Sequence, residues 1–173
     1  MRPKNGDDQM KKTSQTTGIA SEIGMRDPDQ LLPEREVMLN LAKTFSALSQ
    51  PFDEMFKEHG ITPVQYNALR ILRGHGKPVS VYQIGENMVT RQSDLPRLVD
   101  RIVALGFAEK KRCEEDRRVM WVTLTRKGKA LLKRLDEPLD ELHREQLKHL
   151  SREQVKQLSD LLWLARNPEP SSE

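Results

Sequence analysis

The sequence has little of what a disulfide-stabilised, secreted or membrane-spanning protein needs. It contains one cysteine, Cys113, among 173 residues, so an intrachain disulfide is impossible and a reducing compartment fits that count. No apolar run reaches the roughly 18 residues that a transmembrane helix requires. The polar N-terminus also lacks the apolar core of a signal peptide. We therefore expect a cytoplasmic protein that has no membrane partner.

Motifs of the common enzyme classes are also missing. The four histidines show no metal-ligand spacing with Cys113. His143 and His149 are six residues apart, which puts them on different faces of a helix. The sequence contains neither a glycine-rich phosphate loop nor a nucleophile elbow. We therefore predict no enzymatic activity, no catalytic residues, no metal and no cofactor.

Positive charge is concentrated in one segment of the chain. The formal net charge is +3, from 29 Lys and Arg against 26 Asp and Glu. Residues 90–128 carry ten basic and six acidic side chains, a net charge of +4. Residues 1–33 and 34–89 are each balanced, and residues 129–173 carry −1. A localised basic patch is typical of proteins that bind a phosphate backbone, although an ordinary solvated face would also explain the charge by itself.

Apolar periodicity and capping residues predict helices over most of the chain. Six apolar residues from Met38 to Met55 recur every three or four positions, which predicts a long helix with a bend at Pro51. Capping boxes predict three further helix starts, at Thr62, Ser80 and Ser151. The box at Ser80 opens a short helix through Met88. Thr125 can cap another long helix that is rich in leucine.

A short helix and a hairpin account for the basic segment. Apolar spacing predicts a helix from about Gln92 to Leu105, closed by Gly106, and we favour Ser93 over Thr90 as its N-cap. With Ser93 in that role, Pro96 falls in the tolerated first turn. Phe107 to Arg112 and Val119 to Leu124 then have strand composition on either side of a charged tip. Three short helices followed by a hairpin predict a winged helix-turn-helix, a mainly α fold with a small β-wing (α+β).

Three motifs in this region resemble the MarR family of bacterial winged-helix transcription regulators. They are Leu98-Val99-Asp100-Arg101 leading into Leu105-Gly106-Phe107, then Asp116-Arg117-Arg118, then Leu124-Thr125-Arg126-Lys127-Gly128. The resemblance covers roughly residues 34–166. It implies a homodimer that places each recognition helix in a major groove and each wing at the neighbouring minor groove. It also implies a transcriptional regulator that binds double-stranded DNA at a pseudo-palindromic operator. We expect a repressor, and activation remains open.

The predicted DNA-binding residues fall into two groups. Exposed polar positions near the N-terminal end of the recognition helix can reach base edges, and the wing and its first strand can reach the backbone. They are Arg91, Gln92, Ser93, Asp94, Arg97, Arg101, Lys110, Lys111, Arg112, Arg117 and Arg118. For Arg101, a phosphate contact and pairing with Asp100 or another acid both remain open. Arg117 is either a phosphate contact or a solvated charge.

The resemblance assigns particular roles at the wing tip. Arg118 corresponds to the arginine that enters the minor groove, and Asp116 corresponds to the carboxylate that holds this arginine in place. A planar, weakly hydrated guanidinium suits a narrow groove of negative potential. Pro96 stands where the family commonly has Ser or Thr, so a preference for particular DNA sequences cannot be transferred from relatives.

The organisation of the chain follows from the same patterns. We predict a flexible N-terminal arm (1–33), a dimerisation helix (34–60), the winged helix-turn-helix domain (61–128), C-terminal dimerisation helices (129–166) and a flexible tail (167–173). The arm can fold onto DNA or a partner, but its balanced charge gives no reason to expect contact with DNA. The predicted dimer contacts are apolar residues of the terminal helices, namely Met38, Leu41, Phe45, Leu139, Leu142, Leu158, Leu161 and Leu162.

The remaining expectations concern an effector, the single cysteine and an alternative function. The resemblance allows a small aromatic or anionic effector that binds between the dimer layer and the reading head. We interpret Cys113 as incidental, because it lies at the wing and not in the first long helix, where the peroxide-sensing branch of the family keeps its reactive cysteine. Lys111 and Arg112 could lower the pKa of its thiol, whereas Glu114 and Glu115 would oppose that effect. The alternative is a winged-helix module that binds another protein without reading DNA, which a chain with no basic excess would favour.

Overall fold

The computed structural model describes residues 18–25 and 31–168. Within these ranges the chain forms seven helices and three short strands, which confirms the predicted α+β class. The elements are α1 (Ile19–Glu22), α2 (Pro33–Glu58), α3 (Pro63–His75), β1 (Val79–Ser80), α4 (Val81–Glu86), α5 (Leu95–Ala104), β2 (Ala108–Arg112), β3 (Met120–Leu124), α6 (Arg126–Leu147) and α7 (Arg152–Arg166). No helix within the described ranges is long and apolar enough to cross a membrane.

Side-chain caps explain where the helices begin. The three predicted capping boxes form, with Thr62, Ser80 and Ser151 each accepting from the backbone N–H three residues later. Each box satisfies backbone N–H groups that have no partner inside the helix. Thr125 caps α6 in the same way, through the N–H of Gly128. The short helix α4 ends at Glu86, two residues earlier than predicted.

The start of α5 corrects one prediction. The helix begins at Leu95, not near Gln92, and its N-cap is Asp94, neither Ser93 nor Thr90. Asp94 Oδ1 accepts from the backbone N–H of Arg97 at 3.1 Å. Asp and Ser are about equally good N-caps, so residue type alone does not distinguish Ser93 from Asp94. With Asp94 as the cap, Pro96 falls within the first turn.

The chain divides into two compact units at the junction of Leu48 and Ser49, inside α2. In the described part of the first unit, Ile19 and Ala20 of α1 are buried. This helix lies in the segment that we predicted to be a flexible arm, where a two-residue apolar signal was too short to predict it. Residues 1–17 and 26–30 of that arm, and 169–173 of the predicted tail, lie outside the described residues.

The second unit contains a hydrophobic core to which α3, α4, α5, the strands and α6 all contribute. Leu131, Leu132 and Leu135 of α6 are at most 1% exposed. Leu139 is 5% exposed and belongs to the same core, so its predicted role in a dimer interface is wrong. The reason is helical spacing, since Leu139 lies four residues after Leu135 and therefore on the same buried face.

The strands form one antiparallel sheet in the order β1-β3-β2. The predicted hairpin is confirmed, with Lys110 opposite Val122 and Arg112 opposite Met120. Strand β1 pairs through Val79 with Val122 and was not predicted, because two residues are too few to show the period of a strand. Through β1, the sheet therefore connects the wing to the segment directly before α4.

Candidate nucleic-acid interface

The recognition helix α5 buries one face and exposes the other. Leu98, Val99 and Ile102 are buried in the core. The cationic side chains of Arg97 and Arg101 lie on the exposed side. A helix that is apolar on one side only is held firmly by its core contacts, so its exposed side chains are available to a ligand in a fixed orientation. This exposed face is the first part of the candidate interface.

Local hydrogen bonds hold the loop that enters α5. Asn67 Oδ1 of α3 accepts from the backbone N–H of Val89 at 3.0 Å. Gln92 Nε2 donates to the carbonyl and the hydroxyl of Thr90 at 3.2 and 3.0 Å. Among the predicted base contacts, Asp94 therefore serves as a helix cap, and the Gln92 amide nitrogen is engaged inside the loop. Sequence reasoning missed Asn67, because its partner is 22 residues away along the chain.

The wing tip is a compact turn between β2 and β3. The backbone N–H of Cys113 donates to Val119 O at 3.0 Å, and that of Val119 donates to Asp116 O at 2.9 Å. Asp116 Oδ1 accepts from the backbone N–H of Arg118 at 2.9 Å. We predicted that this carboxylate holds the Arg118 guanidinium, but no ion pair between the two groups is present in the described chain. Asp116 instead shapes the turn that presents Arg118, as Asp commonly does in turns.

The structure separates the basic residues of the interface into two classes. Lys110 Nζ pairs with Asp100 of α5, and Lys111 Nζ pairs with Glu114 at 2.7 Å. The predicted arginines are all exposed, and none of them forms an ion pair with a residue that the structure describes. These six residues, which we call the free arginines, are Arg91, Arg97, Arg101, Arg112, Arg117 and Arg118. The alternative in which Arg101 pairs with Asp100 is therefore wrong, because Lys110 takes that carboxylate.

The pleat of the wing places Lys110 and Lys111 on opposite faces of the sheet, so the two lysines pair with different acids. Lys110 and Arg112 lie opposite Val122 and Met120 on one face of the sheet, whereas Lys111 lies opposite Trp121 on the other. Lys110 reaches Asp100 of α5 from the first face, so this pair connects the wing to the recognition helix. Ion pairs between exposed groups contribute little stability, but they do reduce the net positive charge that a lysine offers to a phosphate.

Cys113 lies at the base of the wing tip and is half-buried. Its pKa is lower than that of an ordinary thiol, chiefly because the backbone N–H of Asp116 stabilises the thiolate, with further hydrogen bonds from the Trp121 indole and the backbone of Glu115. The sequence left the direction of this shift open between the basic and the acidic neighbours. In the structure, hydrogen bonds lower the pKa of the thiol and the charge of Glu115 opposes them. No cluster of three metal-ligating side chains occurs among the residues that the structure describes.

The predicted dimer contacts, apart from Leu139, keep exposed apolar surface. In the first unit, Met38 is 65% and Phe45 is 73% exposed on α2, and Leu41 is also exposed. In the second unit, α7 contains no buried residue, and its exposed apolar side chains include the predicted Leu158 and Leu161. Leu142 and Leu162 are half-buried. The same exposed class includes residues that we did not predict, namely Val37, Trp163 and Leu164.

Comparisons with known proteins agree with this architecture. Residues 59–119 match the sequence model of the MarR family. The HTH-type transcriptional repressor MdtR of Bacillus subtilis is 29% identical over 104 residues, which are 60% of this chain and 65% of MdtR. The match therefore spans slightly less than two thirds of that relative. The solved structure of a MarR transcription factor from Planctomyces limnophilus is 34% identical, with a TM-score of 0.61, over 78% of this chain and 98% of that one.

Two further solved structures have the same fold at lower sequence identity. One is a mutant of MarR from E. coli complexed with operator DNA, which is 24% identical with a TM-score of 0.63, over 74% of this chain and 94% of that one. The other is the organohalide-sensing transcriptional regulator RdhR in its 2,4-dichlorophenol-bound form. It is 16% identical with a TM-score of 0.75, over 82% of this chain and 83% of that one.

Proposed function

The chain belongs to the MarR family of winged-helix, DNA-binding transcription regulators, and from this premise we propose that it is a homodimeric repressor that reads a pseudo-palindromic operator. The observation that carries the proposal is the set of free arginines, which line the entry loop, the recognition helix, the first wing strand and the wing tip. A guanidinium without an internal partner can bind phosphate or a guanine edge without first breaking an ion pair. The likeness to the repressor MdtR supports the direction of regulation.

We assign different tasks to different parts of this surface. Arg91 and Arg97, together with Ser93 and the remaining acceptor of Gln92, are the proposed base-reading residues, since they lie at the N-terminal end of the recognition helix. Arg118 is the proposed minor-groove residue. Arg101, Arg112 and Arg117 are proposed to contact phosphates, which orient the protein without reading sequence.

The exposed apolar residues of α2 and α7 support a second copy of this chain as the partner. Large apolar side chains that stay exposed in one chain commonly mark a protein interface. A two-fold dimer repeats one reading head on each side of its axis, so its half-sites should lie about one helical turn, roughly 34 Å, apart on one face of the duplex. Footprints on opposite faces would contradict this geometry.

The proposal includes a small-molecule effector. A shallow hollow of about 500 Å³ lies beside the C-terminal end of α5, with Ile61, Ala104 and Leu105 in its lining and the cations of Lys57 and Arg101 beside them. Apolar surface flanked by positive charge suits a small aromatic anion. The RdhR structure binds a chlorinated phenol, which supports an aromatic class of effector. Calorimetric titration of the protein with benzoate tests the class, and an Arg101→Met variant that binds benzoate equally well would exclude this hollow.

The decisive experiment is binding of the purified protein to DNA from upstream of its own gene and to a random duplex, over a series of salt concentrations. We expect selective binding that weakens with salt, because each neutralised phosphate releases counterions. An Arg118→Ala variant should bind more weakly and show a smaller salt dependence. Equal binding to both duplexes, or an unaffected variant, would favour a protein-binding module or another DNA surface.

A further inference from the structure

The last turn of the recognition helix is joined to the first turn of α6. Thr125 Oγ1 lies 2.8 Å from Gly106 O and 3.1 Å from Phe107 O, and it accepts from the backbone N–H of Gly128 at 3.1 Å. The backbone N–H of Thr125 also donates to Phe107 O at 3.1 Å. One threonine therefore caps α6 and contacts the chain that leaves α5.

Two glycines lie where the two turns meet, and at Gly128 the backbones approach unusually closely. Gly106 has φ of 75°, the left-handed conformation that ends many helices, and its N–H donates to Val103 O at 2.8 Å. At Gly128, a Cβ atom would lie 2.2 Å from Phe107 O, so a larger residue does not fit without movement of the backbone. The two turns are thus packed backbone against backbone.

Lys127 completes this junction. Its Nζ donates to Leu105 O at 2.8 Å and lies 4.9 Å from the centroid of the Phe107 ring. Leu105 is the C-cap of α5, so its carbonyl is among those without a partner inside the helix. A positive charge at this end also interacts favourably with the helix dipole, and an ammonium over an aromatic ring adds a cation–π contact. The Lys127 side chain is exposed, but its ammonium is engaged by groups of this chain.

We propose that Lys127 is a positioning residue for DNA recognition, which holds the C-terminal end of the recognition helix against α6 and does not itself contact DNA. This inference rests on the proposed DNA-binding function. Charge counting alone would assign Lys127 to the basic patch, since it is one of the ten basic residues of 90–128. The contacts separate it from the free arginines, because Lys127 is anchored to a carbonyl at the far end of the helix from the base-reading residues.

Salt dependence distinguishes positioning from phosphate contact. Each phosphate contact contributes about 0.9 to the slope of the logarithm of the binding constant against the logarithm of the salt concentration. A residue that only positions the helix contributes to affinity for the selected site but not to this slope. It also contributes less to binding of random DNA, where base readout is absent.

The test uses the full-length protein and a duplex that the wild-type protein enriches from a random library. Affinity for this duplex and for a random duplex is measured over a salt series for Lys127→Met, Lys127→Arg and Arg126→Met. The last variant is the matched control, because Arg126 is exposed, adjacent and forms no ion pair within the described residues. It removes the same charge without disturbing the junction.

We expect Lys127→Met to bind the enriched duplex about tenfold more weakly with an unchanged slope, as for a lost charged hydrogen bond of average strength. Lys127→Arg, which keeps a donor, should recover most of the affinity, and Arg126→Met should differ little from wild type. A slope reduced by about 0.9 with equal losses on both duplexes would overturn the proposal in favour of a phosphate contact. Unchanged affinity in Lys127→Met would also overturn it.

Hydrogen exchange provides a readout that does not need DNA. The amides of Gly106 and Phe107, which bond to Val103 O and Ile102 O, should exchange faster in Lys127→Met than in wild type. Exchange in α7 should stay unchanged. If these two amides exchange at the same rate in Lys127→Met as in wild type, Lys127 does not hold the junction.

If the wild-type protein enriches no duplex, the DNA-binding proposal fails while hydrogen exchange still decides whether Lys127 holds the helix end. If Lys127→Met does not fold, the same comparison is made between Lys127→Arg and Lys127→Gln.

Discussion

Asp116 Oδ1 accepts a hydrogen bond from the backbone N–H of Arg118 at 2.9 Å, and the carboxylate forms no ion pair with a described residue. The acid thus acts on the wing-tip arginine through the backbone of the turn. The distinction matters because an ion pair requires the negative charge of the carboxylate, whereas the turn requires only an oxygen acceptor at this position. Substitutions can separate the two requirements.

An Asp116→Asn variant is therefore expected to bind DNA at least as well as wild type. Asn keeps an oxygen acceptor for the Arg118 N–H, tolerates the same turn and removes a negative charge near the phosphate backbone. Asp116→Ala has no acceptor and should bind severalfold more weakly than Asp116→Asn. Fluorescence anisotropy with the upstream duplex measures both. If Asn weakens binding as much as Ala does, the charge and not the turn is what matters.

Lys110 and Arg112 form a second matched pair, since both lie on the same strand and the same sheet face. Lys110 is paired with Asp100, whereas Arg112 is free of ion pairs with described residues. Removal of Arg112 by an Arg112→Met substitution should therefore reduce the salt dependence of DNA binding by about one phosphate contact, and Lys110→Met should reduce it by less. Filter binding over a salt series measures both slopes. Equal slopes would mean that Lys110 exchanges Asp100 for a phosphate in the complex.

Two leucines test the assignment of core and interface. Leu132 is fully buried in the core, whereas Leu161 of α7 is 63% exposed. We expect Leu132→Ala to lower the free energy of unfolding by about 2–5 kcal/mol, because it leaves a cavity. Leu161→Ala should instead weaken self-association, seen as a concentration-dependent shift to smaller mass in sedimentation. Denaturant unfolding of both variants supplies the comparison, and unaltered sedimentation of Leu161→Ala would remove Leu161 from the proposed interface.

The lowered pKa of Cys113 predicts its reactivity. Since the thiolate is the nucleophile, a lower pKa means that alkylation by iodoacetamide rises at a lower pH than for a free cysteine derivative. Trp121→Phe removes the indole donor, so the pH at which alkylation is half-maximal should move upward. Mass spectrometry across a pH series measures the rates. A midpoint equal to that of free cysteine would contradict the hydrogen-bonded thiolate.

Much of the architecture followed from local sequence signals. Thr62, Ser80 and Ser151 form capping boxes because each box is complete within four consecutive residues. The hairpin was predicted for a similar reason, since strand alternation and a charged tip are read along one stretch of chain. The predicted start of α5 was wrong by up to three residues, because Ser93 and Asp94 can both act as an N-cap and local sequence does not distinguish them.

The sequence by itself determined the helices from α2 to α7, the hairpin and the location of the positive charge, because these depend on neighbours along the chain. Only the tertiary structure decided which charges are available. Lys110 is engaged by Asp100 and Lys127 by the carbonyl of Leu105, and these partners lie on other elements. It also decided that Leu139 faces its own core. A side chain's partner across the fold depends on packing in three dimensions, which residue type and spacing do not specify.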